Sequence, residues 1–140
     1  MVAAHAEADV LQVQSLGVAR GSVTVLLRLE AGLALAAAIM AYRAMDGGWG
    51  MFAALFLVPD LSMLGYFANR RLGAIAYNVG HAYVSPAILA AAGFVAHMPT
   101  TYLWALIWVA HISFDRLVGY GLKYPEAFGA THLGWVEKRN

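Results

Sequence analysis

The sequence predicts an all-α protein: an integral membrane bundle of four antiparallel transmembrane helices with both termini cytoplasmic. Three observations carry this expectation. Of 140 residues, 61% are hydrophobic and 12% are charged, against roughly 25% charged in a soluble domain. Mean hydropathy is +0.64. Four segments, 25–44, 49–67, 72–95 and 101–119, come close to the ~17–25 mostly apolar residues that a helix needs to cross a bilayer. The connections between them are short, so consecutive helices must be antiparallel neighbours.

A chain of this length makes one unit. The expected organisation is an N-terminal extension at 1–22, a transmembrane domain at 23–119 and a cytoplasmic tail at 120–140. In the extension, Glu7 and Asp9 stand where a signal peptide carries positive charge, and no continuous apolar core follows. It therefore reads as cytosolic, or as interfacial through Val10, Leu11, Val13 and Leu16. The net charge of +1, with no basic stripe, excludes a nucleic-acid partner. Cysteine is absent, which excludes thiolate metal sites, disulfides and cysteine nucleophiles.

Span one is rich in small residues, with Gly32 and Ala36 at a spacing that lets helix backbones approach closely. Spans two and three hold Pro59 and Pro86, each expected to kink its helix and free a carbonyl one turn earlier. Arg20 and Arg28 precede span one, Arg70 and Arg71 separate spans two and three, and Arg116, Lys123, Lys138 and Arg139 close span four or follow it. By the positive-inside rule these ends face the cytoplasm. Trp49, Tyr102 and Trp104 suit an aromatic belt on the other side.

That topology places ionisable residues in one layer of the inner half: Asp60 from span two, Asn78 and His81 from span three, His111 and Asp115 from span four, and Glu30 from span one. A charge at the bilayer centre costs about 2.5–3.5 kcal/mol on insertion scales, so such groups face one another. His111 and Asp115 share a face at i, i+4, and Trp104 and Trp108 extend that stripe outward. Asn78, His81 and Ser85 form a stripe on span three. Imidazole nitrogen and carboxylate oxygen are the ligands of zinc, iron or manganese where thiolates are absent. His81, His111 and Asp115, with Asp60 as a further ligand or as a base, form the candidate metal set. Asn78 and Lys123 are candidates for polarising a substrate. The same residues also suit a structural hydrogen-bond network, proton or ion passage, or bis-histidine haem on His81 and His111, which the crowding carboxylates disfavour. The tail GYGLKYPEAFGATHLG is expected to fold beneath the bundle and bring Lys123, Thr131 or His132 to the inner opening of the cluster.

The stretches LRLEAGLALAAAIMAY, FLVPDLSMLGYFAN, AYNVGHAYVSP and HISFDRLVGYGLKYPEAFGATHLG resemble the small bacterial membrane proteins grouped as a domain of unknown function, number four-two-six-zero. The resemblance runs from Leu27 to Gly134. It covers Glu30, Pro59, Asp60, Asn78, His81, His111, Asp115, Arg116, Lys123, Thr131 and His132 without a departure. It implies a multi-pass protein of the bacterial cytoplasmic (inner) membrane and carries no activity. A looser likeness links the chain to small multi-span membrane hydrolases whose His and Asp residues bind metal, an analogy at the level of fold. The resulting expectation is metal-dependent hydrolysis of a lipid or amphipathic substrate, with Glu30, Arg116 and His132 orienting the ligands. The alternatives are a non-enzymatic membrane subunit, in a homo-oligomer or a larger membrane complex, and a proton-coupled carrier.

Overall fold

The structure is a computed structural model that describes Ala19, residues 21–125 and residues 129–135. The expected N-terminal extension lies almost wholly outside these residues. The described chain is helical apart from a small hairpin. It comprises α1 (Ser22–Ala44), α2 (Trp49–Phe56), a 3-10 helix (Val58–Phe67), α3 (Arg70–Gly80), α4 (Val84–Val95), α5 (Thr100–Val118), β1 (Ala130–Thr131) and β2 (Gly134–Trp135). Two helical stretches, Ser22–Ala44 and Trp49–Phe67, are long and apolar enough to cross a membrane.

Helix α1 packs chiefly on α5. Gly32 leaves room for Leu117, and Arg28 Nε donates to the Leu117 carbonyl at 2.7 Å. At the other end, Ala41 and Met45 share a cavity wall with Tyr102 and Leu106, so the two helices run in opposite directions. The turn after α1 is closed by Tyr42, which is fully buried and whose hydroxyl donates to the Gly48 carbonyl at 2.6 Å. From Tyr42 an aromatic series runs through Phe52 and Phe56 to His111.

The second apolar segment does not stay α-helical. Pro59 has no N–H and its ring excludes the usual bond one turn back, so the chain tightens, with Asp60 N bonding the Leu57 carbonyl at 3.2 Å. The tighter winding persists for ten residues, whereas runs beyond about three or four residues are uncommon. This helix packs antiparallel on α3. Its Pro59 and Ser62 meet Gly80, and its Gly65 and Tyr66 meet Gly73.

The third segment, 72–95, also departs from the expected single helix. It breaks at His81–Tyr83 rather than bending at Pro86, which sits in the first turn of α4, where proline is tolerated. The carbonyls released by the break are taken up by side chains. Trp108 Nε1 donates to Gly80 O at 2.6 Å and the Ser85 hydroxyl donates to Val79 O. The Tyr77 carbonyl keeps its helical bond from His81 N and also accepts from His81 Nδ1 at 2.9 Å. Irregular backbone in apolar surroundings persists only where such partners exist.

Most large side chains on the outer surface are apolar and exposed: Leu33, Phe67, Phe94 and Val95 each expose more than 70%. The interior is lined by small residues and close contacts, and Gly73 abuts the face of Tyr66. Overpacking of this kind costs about 1–3 kcal/mol. Gly73→Ala should therefore lower the thermal midpoint of the detergent-solubilised protein, and adding Tyr66→Leu should restore part of the loss.

Candidate metal centre

Four side chains converge on one point. Asp60 comes from the 3-10 helix, His81 from the break after α3, and His111 and Asp115 from successive turns of α5. Gly80 makes the meeting feasible, because a Cβ there would lie 2.7 Å from Ser62 Oγ and 3.1 Å from the Pro59 carbonyl. The absence of that carbon brings the residue before His81 onto the residue before Asp60.

His81 Nε2 stands 3.3 Å from Asp60 Oδ1 and 3.4 Å from Asp115 Oδ2. His111 Nε2 stands 3.5 Å from Asp60 Oδ1, 3.7 Å from Asp115 Oδ2 and 3.1 Å from His81 Nε2. All four donor atoms lie within 4.8 Å of one another. Ligands at about 2.0–2.2 Å from a tetrahedral zinc stand roughly 3.3–3.6 Å apart, and the five separations given lie close to that range. Both histidines are buried, while Asp60 exposes 41% of its side chain and Asp115 18%.

The lone pairs point the same way. The Tyr77 carbonyl accepts from His81 Nδ1–H, which leaves Nε2 as a bare acceptor aimed at the second Nε2 and at two carboxylates. Two imidazole lone pairs and two carboxylates facing a common centre repel one another unless a cation or protons intervene. Two neutral imidazoles and two carboxylates carry two negative charges, which a divalent ion balances. This group can hold a metal ion. His111 Nδ1 is buried without a well-formed hydrogen bond, and the Phe56 carbonyl is the backbone acceptor that faces it. Two nitrogens only 3.1 Å apart leave no slot for a porphyrin between these imidazoles.

Tyr77 belongs to the site although its residue type did not single it out. Its ring stacks on His81 with centroids 3.8 Å apart, and its hydroxyl lies within the electrostatic reach of Asp115. The available signal was its spacing, one turn before His81 on the same helix.

The tail folds back as expected and reaches the site with Lys123. Asn78 holds it there: Nδ2 donates to Lys123 O at 2.9 Å and Oδ1 accepts from Lys123 N at 2.8 Å. Both ends of the Asn78 amide are thus engaged in positioning the tail. The Lys123 ammonium lies 4.6 Å from the Tyr77 ring centre and within the electrostatic reach of Asp115 and Asp60. Burial pulls its pKa down, and those two carboxylates oppose the shift.

Glu30, Arg116 and His132 stand elsewhere. They share a separate pocket of about 200 Å³ with Tyr83, over whose ring the Arg116 guanidinium lies at 4.3 Å. His132 closes the tail on itself: its Nδ1 accepts from Leu122 N at 2.8 Å, and its own N–H donates to Leu122 O at 3.1 Å. A Cβ at Gly121 would strike its ring. Burial, and then the charge of Arg116, lower the His132 pKa below 6.5.

Two outcomes follow for the tail. Asn78→Ala removes both side-chain bonds to the Lys123 backbone and should open the peptide bond after Lys123 to limited trypsin digestion, where the parent chain resists. A histidine with a lowered pKa in the folded state contributes stability that is complete above its unfolded value and declines as pH falls below about 6.5. The protection of the Leu122 amide relative to its intrinsic exchange rate at each pH should accordingly fall on acidification through that range, and His132→Phe should abolish the response.

No curated protein and no solved structure matches the chain. The family model described as a domain of unknown function, DUF4260, matches residues 24–136, a stretch that contains all four converging donors and the tail clasped to them, and the chain belongs to that family.

Proposed function

We propose that this chain is a multi-pass protein of the bacterial cytoplasmic membrane that binds one divalent metal ion, zinc by the tetrahedral spacing, and uses it to hydrolyse a lipid or amphipathic substrate. The observation that carries the reading is the convergence of His81 Nε2, His111 Nε2, Asp60 and Asp115 within 4.8 Å. Four antiparallel spans with both termini cytoplasmic suit the apolar outer surface and the arginines at one end. In this arrangement α3 and α4 together make the third crossing, and the four donors lie toward the cytoplasmic side.

A divalent ion in the centre would supply a Lewis acid and water acidified to a pKa near ~7. His81, His111 and Asp115 would hold the ion. Asp60, the most exposed of the four, is the carboxylate that would accept a proton from water. Hydrolysis adds the remaining hydroxide to the carbonyl or phosphoryl centre, and the proton on Asp60 passes to the departing oxygen. Lys123, beside both carboxylates, attracts the anionic head or the developing negative charge on oxygen. Tyr77 and its carbonyl hold the orientation of His81, the role that outer partners play around metal ligands.

A competing reading, a metal that only ties helices together, draws support from the same geometry, since four protein donors can fill a tetrahedron. Element analysis of protein purified in detergent, after dialysis against zinc, separates the two. One zinc per chain is expected for the parent, with loss in His81→Ala, His111→Ala and Asp115→Ala. Asp60→Asn should keep the ion and lose hydrolysis if the site is catalytic, whereas loss of the ion and a lower thermal midpoint favour the structural role. Gly80→Ala, which parts Asp60 from His81 without altering a donor, should weaken zinc at least tenfold. A parent protein that takes up no zinc, with a thermal midpoint unchanged in His81→Ala, would overturn the metal reading.

A further inference from the structure

We infer that the apolar cavity beside the four donors holds the hydrocarbon tail of a single-chain amphiphile, with the polar head at the metal centre. The inference names the substrate class of the hydrolytic reading above and rests on it. Its physical basis is the continuity between cavity and site.

The cavity measures about 390 Å³ and lies between the second apolar segment, α3, α4 and α5. That volume falls within the ~300–1,000 Å³ typical of small-molecule sites. Pro59 and Gly80 form part of its wall, and the next residues in the chain are the donors Asp60 and His81. On α5 the wall is made by Trp104 and Trp108. With His111 and Asp115 these follow a helical spacing of four, three and four residues, so one face of α5 passes from cavity to donors without a step. From Trp104 to His111 that face extends about 10 Å, at roughly 1.5 Å per residue. The Trp108 indole is held in place by its bond to Gly80 O, so this wall is rigid where it approaches the donors.

The cavity is hydrocarbon-like over nearly all its lining, and Ser62 supplies its one side-chain hydroxyl. Ser62 Oγ is buried and has no hydrogen-bond partner among the described residues. It sits against Gly80, at the end where the chain leads into His81. An unpaired hydroxyl at the donor end of an apolar cavity matches a ligand that is aliphatic along its length and carries a hydrogen-bonding oxygen at its head. An ester on an alkyl chain has this form, as does the fatty acid that its hydrolysis releases. Val58 and Val79, about half exposed, line the cavity on the outer side, where a chain dissolved in the bilayer can enter laterally.

The full chain in detergent, stripped with EDTA and then with zinc restored, is titrated with a dibrominated fatty acid that quenches tryptophan on contact. Saturable quenching is expected, carried by Trp104 and Trp108. It should persist in Trp49→Phe, vanish in the double Trp104→Phe, Trp108→Phe variant, and be competed by unbrominated palmitate better than by butyrate. Val79→Phe and Val58→Phe, at exposed positions that tolerate a larger side chain, should each weaken binding about tenfold by narrowing the cavity. Quenching that rises linearly with probe, falls equally on all tryptophans and ignores both valine variants would mean bulk partition into detergent and would overturn the inference. The two readings fail separately. Zinc bound at one per chain without saturable quenching removes the cavity assignment alone. Saturable quenching in a protein that takes up no zinc removes the metal reading and with it the placement of the head.

Discussion

A backbone that leaves the helix in apolar surroundings must find other hydrogen-bond partners, and the break after Gly80 is where this constraint acts on the chain. Two carbonyls released there, and one that keeps its helical bond, are met by side chains that also do something else. The Gly80 carbonyl engages Trp108 and so fixes an indole against the cavity. The Tyr77 carbonyl engages His81 Nδ1 and so sets which imidazole nitrogen faces the donors. The Val79 carbonyl engages Ser85 and so starts α4.

The second segment supplies the complementary irregularity. Pro59 forces the tighter winding that follows it, and Gly80 permits the approach of that winding to within van der Waals distance. Asp60 and His81 are therefore brought together by two local departures from the α-helix, one on each partner. Helix α5 stays regular, and its i, i+4 pair His111 and Asp115 provides the fixed half of the centre. One half of the site is rigid by secondary structure and the other by compensated backbone defects. Asp60, on the irregular half, is also the most exposed donor, in keeping with its proposed acceptance of a proton from water.

The tail adds a second layer of control without adding a ligand. Asn78 lies one turn from His81 and spends its amide on the Lys123 backbone, so the helix that carries a donor also holds the cation that covers it. The neighbouring pocket of Glu30, Arg116 and His132 shows how residues of one depth separate by helical face. Arg116 follows Asp115 in sequence, yet an advance of one residue turns it about 100° around α5 and lays its guanidinium over Tyr83.

Composition and apolar run length were enough to determine the helical class, two of the four expected spans as stretches long and apolar enough to cross a membrane, and the ionisable residues set among apolar ones. These properties are additive along the chain and need no knowledge of neighbours. The pairing of His111 with Asp115 was equally legible, because helical spacing alone places them together. Tertiary structure decided the rest. It moved the discontinuity of the third segment from Pro86 to His81, since proline is harmless in a first turn while Gly80 and two side-chain partners make a break tolerable five residues earlier. It drew Tyr77 into the site and sent Glu30 and His132 to another pocket. Depth along a helix can be counted from sequence, but the direction in which a side chain points at that depth depends on which helix lies opposite. That depends in turn on where glycines such as Gly73 and Gly80 let two backbones touch.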